Sequence, residues 1–300
     1  MRGMAAQREV LSALFGADHP YANGGEPVPW TWQNITRFDL LDFARKHYVG
    51  KNATLAIVGV VDPAQVRKLV ETYFAGIPAG APSDAIPPVR PVRPGAIGLV
   101  IPDSPAATDV ALGWPAGAYS GDQLAARLVA ARMLDRRLHI VRESLAASYH
   151  VEASLLALSG GGVYLARGSI DGGRVEEAIR AMRKQAAGLA AGERLEADFV
   201  RARREVIHEI VAGATASAEL ARSIEALARA GNPDEQRRLL VEAVAGVTVA
   251  EVREVLARDL HGDREAIVVA GERPFLEKVF AAAGVTNRTL RRGEVARAAH

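Results

Sequence analysis

The chain has 300 residues, 49% hydrophobic and 24% charged, the balance of an ordinary globular sequence, and its length suggests about two domains. Its 37 basic and 35 acidic side chains are interleaved along nearly every helical stretch. The pI near 9.0 therefore describes a solvated surface, and with 5% aromatic residues and no basic groove the sequence sets nucleic-acid binding aside. The absence of cysteine excludes disulfides, thiolate zinc and a cysteine nucleophile. No apolar run approaches the roughly 18 residues of a membrane span, and Met1–Val10 carries no apolar signal region. Cytoplasm and periplasm both stay open.

In chain order, Ala5 to Phe15 reads as the end of a helix, and His19-Pro20-Tyr21-Ala22-Asn23-Gly24-Gly25-Glu26-Pro27 is turn chemistry. Ile35 to Gly59 follows as a helix start, an amphipathic helix, a glycine stop and an apolar run. After Val61-Asp62-Pro63 another helix places Val66, Leu69, Val70 and Tyr73 on one face and ends near Gly76. Prolines 78, 82, 87, 88, 91 and 94 forbid helix and central strand, so residues 77–95 read as a stiff linker.

Strand candidates Ile97 to Ile101 and Thr108 to Trp114 come next. A long helix starting near Asp122 follows, with Leu124, Leu128, Ala131, Leu134, Leu138 and Val141 stepping by three and four. Ser148 to Leu158 and Val163 to Ile170 flank Ser159-Gly160-Gly161-Gly162, a hairpin signal. Three helices follow: one marked by Val175, Ile179, Met182 and Leu189, one by Leu195, Phe199, Ala202, Val206 and Ile210, and one by Leu220, Ile224 and Leu227. The last is stopped by Gly231-Asn232-Pro233.

Val247 to Gly271 then repeats Ile35 to Gly59 without a gap, at a constant offset of 212 residues. Thr36 falls on Thr248, Asp39 on Glu251, Leu40 on Val252, Phe43 on Val255, Gly50 on Gly262 and Gly59 on Gly271. In each copy a Thr with an acidic residue three positions later forms a capping box. The two segments are expected to form the same helix and strand, once in each of two homologous modules. Strands in hairpins and helices in runs predict an α+β module, an antiparallel-rich sheet covered on one face by helices. On this reading 1–76 is the second half of a first module, truncated at its start, 77–95 the linker, 96–286 a complete second module and 287–300 a basic tail.

The histidines at 19, 47, 139, 150, 208, 261 and 300 include no pair at the i, i+4 spacing of a helical zinc site. His208-Glu209 opens like a zincin motif but lacks the second histidine. Gly160-Gly161-Gly162 has no following Lys and no helix start, so it is a turn rather than a phosphate loop.

With the residues in this order the chain resembles the insulinase/pitrilysin family of zinc metallopeptidases, which includes processing peptidases and the respiratory-complex core subunits. In the first module the resemblance rests on the turn at His19-Pro20-Tyr21, Ile35-Thr36, Tyr48 with Asn52-Ala53, Val58-Gly59, and Tyr73-Phe74 before Ile77-Pro78. In the second it rests on Arg142-Glu143 and Tyr149, similar to the family's Arg and Tyr seven residues apart; Ala146 stands where many relatives have Gly. The family's zinc motif, an inverted His-x-x-Glu-His, is not in this sequence. The resemblance therefore implies no cofactor in this chain, with Zn2+ in a missing half or a partner subunit.

It further implies a two-module chamber in which Arg142 holds substrate carbonyls of a peptide and the Tyr149 hydroxyl donates to the developing oxyanion. Spacing alone favours reading Arg142 as a surface arginine at a helix end and Tyr149 as a half-buried strand aromatic; the repeat and the rest of the resemblance turn the balance toward a substrate-facing pair. Three functions follow: the C-terminal part of a zinc endopeptidase, a zinc-free subunit serving a zinc-bearing partner, and a structural or binding protein like the respiratory core subunits.

Overall fold

The hairpin read at Ser159-Gly160 seeds the sheet. In the computed structural model, which describes residues 2–24, 34–87, 89, 95–100, 107–118, 123–145, 148–213, 218, 220–221, 224, 233–283 and 288–292, β3 (Ser148–Leu158) and β4 (Gly161–Asp171) pair across a two-residue turn. With β1 (Ala96–Val100), β2 (Ala107–Ala116), β5 (Ala266–Gly271) and β6 (Arg288–Arg292) they form one sheet in the order β3-β4-β2-β5-β1-β6. The β3–β4, β4–β2 and β2–β5 pairs are antiparallel, and β5–β1 and β1–β6 are parallel. The fold is thus α+β, with a mixed sheet rich in antiparallel pairs.

Contacts divide the chain into two compact units: Met1–Val28 with Ile86–Val206 and Gly246–His300, and Pro29–Ala85 with Ile207–Ala245. In the first unit, strand alternation sorts side chains to two faces. Ala111, Val163, Leu165, Ala266, Val268 and Ala270 point toward α1 (Arg2–Phe15), whose Val10, Leu11, Leu14 and Phe15 bury against them. Gly113 permits that approach, because a Cβ there would stand 2.2 Å from Val10 Cγ1.

The alternate residues Val110, Leu112, Trp114, Tyr164, Ile267 and Val269 are buried as well. This is why β5 reads as an unbroken apolar run: both of its faces are covered. Helices α4 (Leu124–Leu145), α5 (Val175–Ala190), α8 (Val249–Asp259) and α9 (Arg273–Ala282) pack on the same sheet. A Cβ at Gly98 would meet Phe280 and Leu276 of α9, whereas neighbouring Ile97 belongs to the α1 cluster, so α1 and α9 lie on opposite faces.

The sequence places α1 with the first module, but in space it covers the sheet of residues 96–292 and adds a second helical face to it. The turn after α1 also serves this sheet. The Tyr21 hydroxyl hydrogen-bonds Ser159 Oγ at 2.8 Å and accepts from Gly160 N–H at 3.0 Å, and His19 Nε2 lies 3.0 Å from the Pro87 carbonyl. His19-Pro20-Tyr21 therefore clasps the β3–β4 turn, with Phe15, His19 and Tyr21 rings in mutual contact.

In the second unit, α2 (Arg37–His47) is built like α8 of the first. Thr36 and Thr248 each cap their helix and close the box with Asp39 and Glu251, and hydrogen bonds from Thr36 and Thr248 hold both carboxyls below their ordinary values. Each helix is followed by a short 3-10 turn, Gly50–Asn52 and Gly262–Arg264. Beyond that the copies diverge. Val268 and its neighbours enter the sheet as β5, but residues 53–58 form no strand. The expectation of the same strand in both copies is corrected here: an extended apolar segment becomes a strand only where other strands take up its N–H and C=O groups.

The burial contrast is sharp, with Val255 and Leu260 at 0% and 2% exposure and their counterparts Phe43 and Tyr48 at 56% and 76%. The helix α3 (Pro63–Phe74), started by Asp62 and Pro63, likewise has no buried residue. The linker folds back on the turn before residue 53: Gly50 and Lys51 N–H donate to the Pro78 and Ala79 carbonyls at 2.8 and 3.0 Å, and Ser83 N–H donates to Asn52 Oδ1 at 2.7 Å.

Other differences are local. Helices α6 (Leu195–Ala212) and α7 (Pro233–Gly246) are present, and α7 and α9 lack counterparts in the sequence reading. The helix expected around Leu220 and Ile224 falls mostly outside the described residues, as do Leu227 and Ile101. Arg288–Arg292, expected in a tail, forms β6 beside β1.

The contrast between copies is measurable. Val255→Ala should cost about 2 kcal/mol through lost burial, whereas Phe43→Ala should stay within about 0.5 kcal/mol, as for other exposed sites. Urea melts of the two variants check this.

Candidate functional site

The helix α4 and the strand β3 carry the two residues singled out by sequence. Arg142 lies in the last turn of α4, one residue after Val141, which is buried. Tyr149 is the second residue of β3. The register pairs Ser148 with Ile170 and His150 with Ser169, so Tyr149 is the extra residue of a β-bulge. A bulge kinks the strand and re-aims a side chain. The side chains of Arg142 and Tyr149, and Ala146 between them, lie outside the described residues.

Several charged contacts fix α4 relative to β3, α6 and α8. Asp135 Oδ1 accepts from Ala153 N–H of β3 at 2.8 Å, while Arg132 holds Asp135 Oδ2 at 3.1 Å. Arg137 pairs with Asp198 of α6 at 2.8 Å and donates to the Glu193 carbonyl, and Arg136 pairs with Glu205. At the other end, Arg127 Nε meets Asp259 Oδ2 of α8 at 3.0 Å with both side chains buried. The end of α4 and the start of β3 are therefore held on a frame anchored at several points.

Beside the bulge lies a charged row that the sequence reading did not single out. His150 Nε2 is 2.8 Å from Glu152 Oε2, Arg167 Nε is 2.6 Å from Glu152 Oε1, and Arg167 Nη1 donates to Gln7 Oε1 of α1 at 3.1 Å. His150, Glu152 and Arg167 line a cavity of about 250 Å³ together with Ala6, Asp109, Val110, Gly168 and Ser169. Burial alone would raise the Glu152 carboxyl, but hydrogen bonds from Arg167 and His150, reinforced by their charges, leave it below its ordinary value. The row was legible in principle: a two-residue turn at Ser159-Gly160 sets the register that brings Glu152 opposite Arg167.

The described residues contain no group of three or more His, Cys, Asp or Glu side chains that could hold a metal ion. His208 and Glu209 sit on α6. No helix among the described residues is long and apolar enough to cross a membrane.

Comparison with known proteins gives findings at two levels. A family model described as the peptidase M16 inactive domain matches residues 34–206, more than half of the chain. Mitochondrial-processing peptidase subunit alpha-1 of Dictyostelium discoideum is 40% identical over 70 residues, covering 23% of this chain and 11% of that protein. The solved structure of the peptidase M16 inactive domain from Pseudomonas fluorescens is similar with a TM-score of 0.78 at 21% identity, covering 91% of this chain and 66% of that one. A protease from Helicobacter pylori gives 0.64 at 18%, with 80% and 59% covered. The chain thus spans less than two thirds of the length of each of these relatives, and at these identities the structural likeness speaks for the fold.

The charged row has a signed pH dependence. Because the folded-state carboxyl of Glu152 is held low, the stability it contributes is present above the ordinary carboxylate pKa and is lost as pH falls through the lower folded value. Melts of the wild type and Glu152→Gln across pH 3 to 7, a span of about four units around that value, should differ most at neutral pH and converge in acid. The difference is expected to be small, because Glu152 is largely solvent-screened.

Proposed function

The chain belongs to the peptidase M16 family, matching its inactive domain, and we propose that it is the substrate-holding portion of a metalloendopeptidase that works with a zinc-bearing M16 partner. In this reading residues 1–76 are the second half of a first module and 96–286 a second, joined by the linker 77–95, and a peptide substrate is held in a two-module chamber. The chain's own described side chains do not fit a metal. Zinc is therefore assigned to the partner, and no step of this chain runs through it.

Two residues carry the chemistry assigned to this chain. Arg142, at the end of α4, binds substrate carbonyls through its fixed fork of donors. Tyr149 donates its hydroxyl hydrogen to the oxyanion that develops when the peptide carbonyl is attacked, which stabilises the transition state more than the ground state. The observation that most supports this reading is the match of the inactive-domain model through residue 206, because it spans both residues. The bulge at Tyr149 adds to it. The anchored α4 would keep these groups in place while substrate binds.

The test is peptide hydrolysis by the chain reconstituted with a zinc-bearing M16 partner, with thermal melts as a folding control. Tyr149→Phe should lower kcat by about a hundredfold, the usual loss for one oxyanion donor, with KM little changed. Arg142→Ala should chiefly raise KM. Unchanged kinetics in both variants would favour a structural protein of the same fold.

A further inference from the structure

One side chain ties the helix of Arg142 to the strand of Tyr149. Asp135 stands seven positions before Arg142 on α4, and Ala153 four positions after Tyr149 on β3. The hydrogen bond from Ala153 N–H to Asp135 Oδ1, 2.8 Å long, closes residues 135–153 into a loop with Arg142 and Tyr149 between its ends. From this tie, two turns of helix reach about 10 Å to Arg142, and the strand reaches about 13 Å back to Tyr149.

A carboxylate at 7% exposure is costly to bury unless its oxygens are satisfied, and here the two have separate tasks. Oδ2 faces cations of α4 itself, Arg132 Nη1 at 3.1 Å and His139 Nε2 at 3.7 Å. Oδ1 reaches out to the strand. β3 is an edge strand with β4 on one side only, and every second N–H of such a strand faces away from its neighbour. At Ala153 the Asp135 carboxylate stands where a further strand would. Leu138, Val141 and Val151 are buried between the ends of the loop, but apolar contact is non-directional and does not fix a strand lengthwise. The bulge at Tyr149 makes that matter, because a slip of one residue turns every side chain to the opposite face. The His150–Glu152–Arg167 row holds β3 against β4, and the Asp135 bond holds it against α4.

We infer that Asp135 is a positioning residue for Tyr149: through Ala153 N–H it fixes where the start of β3 stands relative to the end of α4. It touches no substrate and acts only through the strand. The helix is anchored without it, by Arg127–Asp259 and Arg137–Asp198, so what the bond places is Tyr149 rather than Arg142. The kinetic consequence rests on the proposed function; the structural one rests on the tie alone. A carboxylate that merely blocks a free sheet edge would have neither consequence.

The experiment has a structural and a kinetic arm. In the full chain, tyrosines are replaced by fluorotyrosine, and the fluorine resonance of residue 149 is identified by its loss in Tyr149→Phe. Asp135→Ala should shift or broaden that resonance, and so should Asp135→Glu, which keeps the charge but lengthens the reach. Asp135→Asn, which keeps an acceptor oxygen for Ala153 N–H, should leave it in place. Thermal melts control for folding, and if the alanine variant does not fold, the Glu and Asn variants decide. In the kinetic arm the variants are assayed for peptide hydrolysis with a zinc-bearing M16 partner. Asp135→Ala should lower kcat about tenfold with KM little changed, and Asp135→Asn should lower it less than about twofold. In the Tyr149→Phe background, Asp135→Ala should cost less than about twofold more, because the hydroxyl it places is gone. A resonance unmoved in Asp135→Ala and Asp135→Glu overturns the inference, as does an equal kcat loss in both backgrounds. A resonance that follows the acceptor, in an assembly that hydrolyses no peptide, removes the proposed function and leaves the positioning role of Asp135 standing. Hydrolysis with an unmoved resonance does the reverse.

Discussion

β5 is held on both edges and both faces: β1 and β2 take its backbone groups, α1 buries Ala266, Val268 and Ala270, and Ile267 and Val269 are buried on the other side. The first unit is arranged around that satisfaction of an apolar segment. An extended run with no polar side chains has only its backbone to offer neighbours, and backbone groups removed from water need partners. Residues 266–271 find them and become the centre of a six-stranded sheet. Residues 53–58, of much the same pattern, take no strand conformation. The two copies differ in surroundings more than in sequence.

This explains what could be read in advance and what could not. The capping boxes at Thr36 and Thr248 are local, set by a hydroxyl and a carboxylate three residues apart, and both form as expected. The β3–β4 hairpin is also local, since Ser159-Gly160 dictates its turn and register. The apolar stripe of α4 is periodic enough to mark a helix of 22 residues. Non-local choices were hidden. Nothing in the composition of Arg288–Arg292 announces a strand, because its place is set by β1 alone. Likewise the stripe on α1 shows that the helix buries a face, but not which sheet receives it. At the site, the positions of Arg142 and Tyr149 on a helix end and strand start were legible, whereas the bulge at Tyr149 is a mismatch between two strands and has no signature in either one.

Electrostatics in the first unit is concentrated on the attachments of α4. The Arg127–Asp259 pair is almost wholly buried, and Arg258 shares the same carboxylate. Such a pair adds little net stability over an apolar substitute, yet losing one partner is costly because the other charge stays buried. Close by, Tyr164 is buried, with a hydroxyl that makes no hydrogen bond among the described residues. Burial first, and then the Asp259 charge, drive its ionisation well upward. Its ring fills the core beside Trp114, with which it pairs across strands. Charges thus set the position of α4 on α8 and α6, and apolar packing supplies the stabilisation.

The helix α1 stands at the beginning of the chain, yet the strand it covers most centrally, β5, ends at residue 271. During synthesis at about 5–20 residues per second, the stripe of Val10, Leu11, Leu14 and Phe15 leaves the ribosome roughly 10 to 50 seconds before β5 exists. For that interval the stripe can close only on β2 and β4, and the part that meets β5 stays uncovered. Contacts this distant in sequence also slow folding. The cover of α1 is therefore completed in a late step, when β5 enters the centre of the sheet between β2 and β1.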